Sequence, residues 1–215
     1  MFKHKLAVIG IGYVGLPLAA SLSKHNQVLG FDIDKRRIKE LKDNIDITKE
    51  FSINQLDNLN NLKFSSNIAD LKNANIFFIT VPTPINIYKK PDLKYLIKAT
   101  KIAAKNLKKN SIVVYESTVY PGCTEEVCLP ILEKISNLKS NKDFHVAYSP
   151  ERINPGKSKY KLKNTVKVIG SSNSKVLNFL SKIYSKICLR IHTVNDIKTA
   201  EAAKIIENTQ RDLNI

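Results

Sequence analysis

Short, continuous apolar runs alternate with longer amphipathic stretches along most of this 215-residue chain. Such runs are typical of strands buried on both faces, and the stretches between them have helical periodicity. The alternation predicts a parallel β-sheet with helices on both faces, which is a doubly wound α/β domain. Strands are predicted over residues 6–9, 28–31, 75–79, 111–115, 144–147, 166–169 and 189–192, and helices over 13–24, 35–42, 93–107, 124–135, 175–187 and 197–215.

The last predicted helix differs from the others because the sequence stops inside its pattern. Ala200, Ala203, Ile206 and Leu213 recur at helical spacing, and no glycine or other C-terminal cap follows them. We therefore expect one domain over residues 1–195, with 196–215 as the start of a longer, truncated helix, so that the natural protein continues or the chain is a fragment. The polar segment 54–61 is predicted to be a loop or a short irregular helix.

Composition and charge argue against several classes of protein. The net charge is +16, but the 35 lysines and arginines are scattered, as on a solvated surface, and no nucleic-acid-binding pattern accompanies them. No apolar run approaches the roughly 18 residues of a membrane span, and no signal peptide is evident, so we expect a cytoplasmic protein without membrane or nucleic-acid partners. Cys123, Cys128 and Cys188 form neither a disulfide framework nor a metal-binding pattern, and we expect them to be buried.

A glycine-rich loop follows the first predicted strand and opens the first predicted helix. It reads Gly10-Ile11-Gly12-Tyr13-Val14-Gly15. Gly10 would permit a tight turn, Gly12 the approach of a pyrophosphate to the backbone, and Gly15 the close packing of the helix on the strand. The helix N-terminus would present free N–H groups and a partial positive charge to the phosphates. This context predicts a dinucleotide-binding site.

The second predicted strand leads into Asp32, about 20 residues after the glycine loop. A carboxylate here accepts hydrogen bonds from the adenosine ribose and would repel the additional phosphate of NADP, so NAD is the predicted cofactor. Asp34 could play the same part, although Asp32 lies nearer the strand end. Arg37 is a candidate contact to the adenosine ribose; the alternative is that Arg36 and Arg37 belong to a solvated helix face.

Five segments together extend this pattern over the whole chain. They are Val8-Ile9-Gly10-Ile11-Gly12-Tyr13-Val14-Gly15-Leu16-Pro17, Val81-Pro82-Thr83-Pro84, Glu116-Ser117-Thr118, Ser149-Pro150-Glu151-Arg152, and Glu201-Ala202-Ala203-Lys204 with Glu207-Asn208. In this order the segments resemble the N-terminal part of the UDP-glucose/GDP-mannose dehydrogenase family. The resemblance implies a Rossmann-type domain, and an enzyme that oxidises a primary alcohol to a carboxylate in two steps with two NAD.

The resemblance also assigns roles to individual residues. The residues implied to line the NAD site are Tyr13, Val14, Asp32, Thr83 and Thr118. Those implied to face the reacting sugar carbon are Glu151, Lys204 and Asn208. Lys204 and Asn208 are four residues apart and share a helix face, where an ammonium and an amide could hold a developing oxyanion. Glu151, at a strand end, could act as acid and base.

Within the family, residues 150–156 resemble most the bacterial UDP-N-acetylglucosamine/UDP-N-acetylgalactosamine 6-dehydrogenases of surface polysaccharide synthesis. Enzymes for UDP-glucose usually carry a second glutamate where Pro155 stands. Arg152, Ile153 and Arg211 would then contact the substrate, because a guanidinium fork suits phosphate and sugar oxygens. Dehydrogenases for UDP-glucose, UDP-ManNAc or GDP-mannose, and a non-catalytic nucleotide-binding remnant, are the alternatives.

Two parts of the family pattern are missing from this sequence. The family's nucleophilic cysteine lies in a later Gly-Phe-Gly-Gly-x-Cys motif, and none of the three cysteines here has those glycines around it. The C-terminal UDP-binding domain is also absent, and only the first part of the central dimerisation helix is present. The expectation is therefore an NAD-binding half that does not complete turnover alone, and a homodimer in the full-length protein.

Overall fold

One mixed β-sheet forms the centre of the computed structural model, which describes residues 5–151 and 162–214. The strands are β1 (Lys5–Ile9), β2 (Gln27–Phe31), β3 (Leu62–Ser65), β4 (Ile76–Ile79), β5 (Ser111–Tyr115), β6 (Phe144–Tyr148), β7 (Val166–Gly170) and β8 (Arg190–Val194). The helices are α1 (Gly15–Ser23), α2 (Lys35–Lys42), α3 (Ile53–Asp57), α4 (Lys94–Ala104), α5 (Leu129–Ser136), α6 (Ser174–Tyr184) and α7 (Ile197–Leu213).

The strand order is β3-β2-β1-β4-β5-β6-β7-β8, and the first six strands in this order are parallel. The chain therefore builds outward from β1 in one direction through β3 and then crosses back to β4 on the other side. Adjacent loops at such a switch point diverge and leave a crevice at the carboxyl ends of the strands. The doubly wound α/β prediction is confirmed for this part of the sheet.

The expectation of a wholly parallel sheet is wrong at β7, which pairs antiparallel with β6 through Tyr148 and Gly170. Strand β8 runs parallel to β7. An apolar run shows that a strand is buried on both faces, but it contains no information about direction. The reversal therefore has no signal in the pattern of 166–169.

Three smaller differences concern elements outside the long apolar runs. Strand β3 was not predicted, because Leu62–Ser65 is an edge strand in which only the first and last residues are buried. The polar segment 54–61 includes most of the short helix α3, as one of the two alternatives proposed. The helix predicted over 124–135 begins with a single π-helical turn, Thr124–Cys128, before α5. The three cysteines are buried, as expected.

Consecutive residues of the central strands enter opposite halves of the core. Leu6 and Val8 pack with α1 and α6 on one face, whereas Ala7 and Ile9 pack with α4 and α5 on the other. Burial on both faces is the arrangement that the continuous apolar runs require. Removal of this apolar surface from water is the main force that holds the layers together.

Helix α7 is anchored to the sheet through its first turns. Glu201 is fully buried, and its carboxylate accepts hydrogen bonds from the backbone N–H groups of Gly122, at 2.5 Å, and Thr124, at 2.9 Å. Gly170 of β7 lies so close to the helix that an added Cβ would be 2.6 Å from the Cβ of Ala200. These contacts fix the direction in which α7 leaves the domain.

We expect Glu201→Ala to lower the free energy of unfolding by about 2–3 kcal/mol, because two buried N–H groups lose their acceptor. Asp212→Ala, which removes an exposed carboxylate from the same helix, is the control and should change stability by less than about 0.5 kcal/mol. Urea unfolding monitored by circular dichroism measures both. Equal stability of the two variants would contradict the anchoring role of Glu201.

Candidate active site

The glycine loop between β1 and α1 has a different steric constraint at each glycine. Gly10 has a φ of +98°, in the left-handed region that favours glycine. A Cβ on Gly15 would lie 1.8 Å from the carbonyl oxygen of Gly10, so the helix packs directly on the turn. At Gly12, an added Cβ would meet no described atom within 4 Å. This open approach to the backbone is what a bound pyrophosphate needs.

The N-terminus of α1 is a candidate position for an anionic ligand. Val14 occupies the N-cap position, and among the described residues no side chain caps the helix. The first N–H groups of a helix need partners and bind anions well. The loop residues therefore fit the phosphates of a dinucleotide.

A cleft of about 630 Å³ opens over this loop, at the switch point of the sheet. The predicted site residues that line the cleft are Gly10, Gly12, Tyr13, Val14, Asp32, Arg37, Thr83, Thr118 and Glu151. Gly15 is not among the lining residues, in agreement with its packing role. The structure thus brings the predicted cofactor residues together around one cleft that also reaches Glu151.

The two aspartates after β2 have different tasks. Asp32 lines the cleft, and its carboxylate accepts hydrogen bonds from the N–H groups of Ile11, at 2.9 Å, and Asp34, at 3.0 Å. Asp34 also lines the cleft, but its side chain caps α2, since it accepts from the N–H groups of Arg36 and Arg37. Of the two carboxylates, Asp32 is therefore the one joined to the glycine loop.

Arg37 is buried, so the alternative of a solvated helix face is wrong for this residue, whereas Arg36 is exposed. The Nε of Arg37 donates to the carbonyl of Ile11 at 3.0 Å, and the Nη2 of Arg37 pairs with Asp46 at 2.8 Å. Burial raises the pKa of Asp46, but hydrogen bonds from Thr48 and Arg37 outweigh it and hold the pKa below its usual range. Arg37 therefore joins the glycine loop to Asp46 and lines the cleft.

The loops after β4 and β5 are joined directly to each other. The Thr83 hydroxyl donates to the carbonyl of Thr118 at 2.5 Å, and the Ser117 hydroxyl donates to the carbonyl of Val81 at 2.6 Å. Both loops leave the carboxyl ends of adjacent parallel strands. The two predicted threonines thus share one edge of the cleft.

Two of the predicted reacting residues, Glu151 after β6 and Lys204 of α7, are brought together, whereas Lys204, Asn208 and Arg211 are not among the residues that line the cleft. Lys204 is buried, and its Nζ donates to the carbonyl of Glu151 at 2.5 Å and lies 3.9 Å from the Glu151 carboxylate. Asn208 follows one turn later on α7, and its side-chain oxygen accepts from the predicted substrate residue Arg211 at 2.6 Å. Arg152 and Ile153 lie outside the described residues.

Glu151 has the electrostatic properties of an acid–base group. Burial raises the pKa of its carboxyl to about 7, while Lys204 and Lys167 oppose the shift and Glu116 and Glu207 add to it. Its Oε1 has no hydrogen-bond partner among the described residues. A carboxyl whose pKa lies near neutrality can both give and take a proton under physiological conditions.

A buried cation next to this site was not predicted from the sequence. Lys167 of β7 is fully buried and forms an ion pair with Glu116, the first residue of the Glu116-Ser117-Thr118 motif. A lysine inside the apolar run of β7 was an available signal, because lysine is almost never fully buried without a partner.

Residues 5–151 and 162–214 contain neither a candidate metal site nor a candidate membrane-spanning helix. No group of three or more His, Cys, Asp or Glu side chains there could hold a metal ion. No helix in the same ranges has the length and apolar character needed to cross a membrane.

The strand order, the glycine loop and the carboxylate of Asp32 define an NAD-binding domain of the Rossmann type. Residues 4–188 match the UDP-glucose/GDP-mannose dehydrogenase family, NAD binding domain, and the chain belongs to this family.

Several nucleotide-sugar dehydrogenases are similar to this chain. It is 51% identical over 212 residues to UDP-N-acetyl-D-glucosamine 6-dehydrogenase of Salmonella typhi, and 50% identical to the enzyme of the same name from Pseudomonas aeruginosa. Each match covers 98% of this chain and 50% of the relative, so the chain spans about half the length of these proteins. The solved structure of a UDP-D-ManNAc dehydrogenase from Pyrococcus horikoshii superimposes with a TM-score of 0.91, at 35% identity, over 98% of this chain and 51% of that one.

The contrast between Gly12 and Gly15 gives a test of the loop. We expect Gly12→Ala to fold normally but to bind NAD about tenfold or more weakly, because the new methyl group occupies the space a pyrophosphate needs. Gly15→Ala should instead lower the free energy of unfolding by about 3 kcal/mol, because its Cβ overlaps the backbone of Gly10. Calorimetric NAD titration and urea unfolding of both variants measure these effects. A Gly12→Ala protein with unchanged NAD affinity would contradict the placement of the pyrophosphate.

Proposed function

We propose that this chain is the NAD-binding part of a UDP-N-acetylhexosamine 6-dehydrogenase, which oxidises the primary alcohol of the sugar to a uronic acid for surface polysaccharide synthesis. The observation that carries the proposal is the contact of Lys204 with Glu151, a residue that lines the same cleft as the glycine loop and Asp32. Two of the relatives at 50–51% identity are named for UDP-N-acetyl-D-glucosamine, and among the UDP-N-acetylhexosamines they favour this sugar over UDP-ManNAc, whose dehydrogenase from Pyrococcus horikoshii is 34% identical.

The proposed cofactor position follows the line of the cleft. The phosphates lie over Gly12 at the N-terminus of α1, and the adenosine ribose is bound by Asp32. Thr83 and Thr118, on the loops after β4 and β5, contact the half of NAD that accepts the hydride. This orientation directs the reactive end of the cofactor toward Glu151.

The two oxidations require a place for negative charge and a carrier of protons. When the hydride leaves the alcohol carbon for bound NAD, the hydroxyl proton needs an acceptor and the oxygen needs a donor. Lys204 and Asn208 present an ammonium and an amide from one face of α7 to this oxygen. Glu151, buried beside Lys204, would accept the hydroxyl proton directly or through water in the first oxidation, pass it to solvent, and act as acid and base in the second.

The remaining parts of the proposal concern the substrate and the subunits. Arg211, which contacts Asn208, is proposed to bind the sugar nucleotide together with Arg152 and Ile153. The 66% and 82% exposure of Ile206 and Leu213 supports the proposal that the full-length enzyme pairs through α7, because such apolar side chains favour a partner surface. The catalytic cysteine and the UDP site belong to the part of the enzyme not represented in this chain.

The cofactor assignment is tested by Asp32→Ala. We expect NAD binding to weaken by about 1–3 kcal/mol, because the ribose hydroxyls lose a charged acceptor. The preference for NAD over NADP should narrow at the same time, because the repulsion of the additional phosphate is removed. Isothermal titration with both nucleotides measures the two effects.

Asp57→Ala is the matched control, since it removes one exposed carboxylate outside the cleft. It should leave both affinities unchanged. If Asp32→Ala and Asp57→Ala bind NAD equally well, the assignment of Asp32 is wrong.

The acid–base role of Glu151 predicts a particular dependence of stability on pH. Its folded pKa of about 7 lies above the ordinary value of 4.5, so the folded state retains the proton after the unfolded state has lost it. Relative to Glu151→Gln, the wild type should lose on the order of 3 kcal/mol of stability as the pH rises from about 4.5 to about 7.

Urea unfolding of both proteins across this pH range measures the difference. Glu126→Gln, at an exposed carboxylate, controls for the loss of one charge. A stability difference between wild type and Glu151→Gln that stays constant with pH would contradict the assignment.

A further inference from the structure

Lys167 is a fully buried cation whose hydrogen-bonding capacity is completely used. Its ammonium donates to the carboxylate of Glu116, to the carbonyl of Ser149 at 3.3 Å and to the carbonyl of Pro150 at 3.1 Å. An ammonium has three donors, so each of them has one acceptor. These three hydrogen bonds hold the Lys167 side chain in one conformation.

Glu116 and Tyr184 complete the surroundings of this cation. The second oxygen of Glu116 accepts a hydrogen bond from the hydroxyl of Tyr184, in α6. The Lys167 ammonium also lies 5.3 Å from the centre of the Tyr184 ring, within range of a cation–π interaction. Phe78 meets the same ring edge-on at 5.9 Å, which fixes its plane.

Stability alone is a poor explanation for this cluster. The desolvation of two charges costs several kcal/mol per ion, and well-packed apolar side chains of similar volume often stabilise a core at least as well. What a neutral apolar side chain could not supply is a set of donors to the carbonyls of Ser149 and Pro150. The position of these two carbonyls therefore indicates the role of the Lys167 ammonium.

The partners of Lys167 belong to the two loops that meet in the proposed active site. Glu116 begins the loop that continues to Thr118 in the cofactor cleft, and Ser149 and Pro150 lead directly to Glu151. The next carbonyl, that of Glu151 itself, accepts from Lys204. Three consecutive carbonyls are thus held by two lysines, one from β7 and one from α7.

We propose that Lys167 is a positioning residue, which joins the cofactor loop at Glu116 to the loop ending at Glu151 and so holds the Glu151 carboxyl in the buried position beside Lys204. This role rests on the proposed function of Glu151, but it concerns the geometry of this chain alone. Without Lys167, the two loops lose their common support and Glu151 turns toward solvent.

The charged groups that face Glu151 decide how the test must be designed. Within residues 5–151 and 162–214 they are Lys204 and Glu207 on α7, Lys167 on β7, and Glu116 after β5. Removal of Lys167 alone would change both the position of Glu151 and the local field. It would also leave Glu116 buried without its cation. The double variant Lys167→Met/Glu116→Gln removes one positive and one negative charge together and leaves no orphaned ion.

The test is a ¹³C NMR titration of the glutamate side-chain carboxyl carbons, with Glu151→Gln used to assign the Glu151 signal. The wild type is the reference, because the double variant removes one positive and one negative charge together and so leaves the net charge around Glu151 unchanged. We expect the midpoint of Glu151 in Lys167→Met/Glu116→Gln to fall by about one pH unit or more relative to this reference, toward the value of a solvated carboxyl. Lys167→Arg, which keeps the charge and the donors, should stay closer to the wild type.

A midpoint in the folded double variant that equals that of the wild type would overturn the proposal, even if the melting temperature fell. If the double variant does not fold, Lys167→Gln/Glu116→Gln replaces it, and the same downward shift is required. NAD affinity of the wild type, measured on the same samples, separates this inference from the proposed function. Absence of NAD binding would refute the function, whereas the Glu151 titration would still report whether Lys167 positions the loop.

Discussion

The parallel pairing of β1 with β4, β4 with β5 and β5 with β6 is the constraint on which the candidate site depends. Parallel strands direct all their carboxyl ends to one edge of the sheet, so loops that are far apart in the sequence become neighbours. The glycine loop, the Thr83 loop, the Thr118 loop and Glu151 are brought together in this way. The crossover from β3 to β4 then opens the crevice between them.

The sequence predicted features that depend on local sterics and missed those that depend on distant partners. Gly10 and Gly15 signalled their roles because a positive φ and a helix–turn contact leave room only for glycine. The apolar run of β7 does not indicate the direction of this strand in the sheet. The burial of Arg37 and Lys167 depends on Asp46 and on Glu116, which lie 9 and 51 residues away, so neither could be found from spacing alone.

The pKa of Glu151 depends on the balance between the burial of its carboxyl and the charges around it. The chain as a whole has a charge of +16, yet the described groups that act on Glu151 comprise two lysines and two glutamates. Desolvation is the largest of these influences, so it decides the direction of the pKa shift. The pKa of Glu151 therefore depends first on how far its carboxyl is buried.

Helix α7 connects this balance to the rest of the molecule. The same helix has Glu201 anchored on the turn before α5, Ala200 against Gly170, and Lys204 against the Glu151 carbonyl, all within about one and a half turns. Beyond them, Ile206 and Leu213 are exposed. The lysine follows the anchor by less than one turn, so the Glu201 and Lys204 contacts hold the same stretch of α7 on the sheet. The outer part of the helix, with Ile206 and Leu213, follows both contacts, so a movement imposed on it meets the Lys204 contact before it meets the Glu201 anchor.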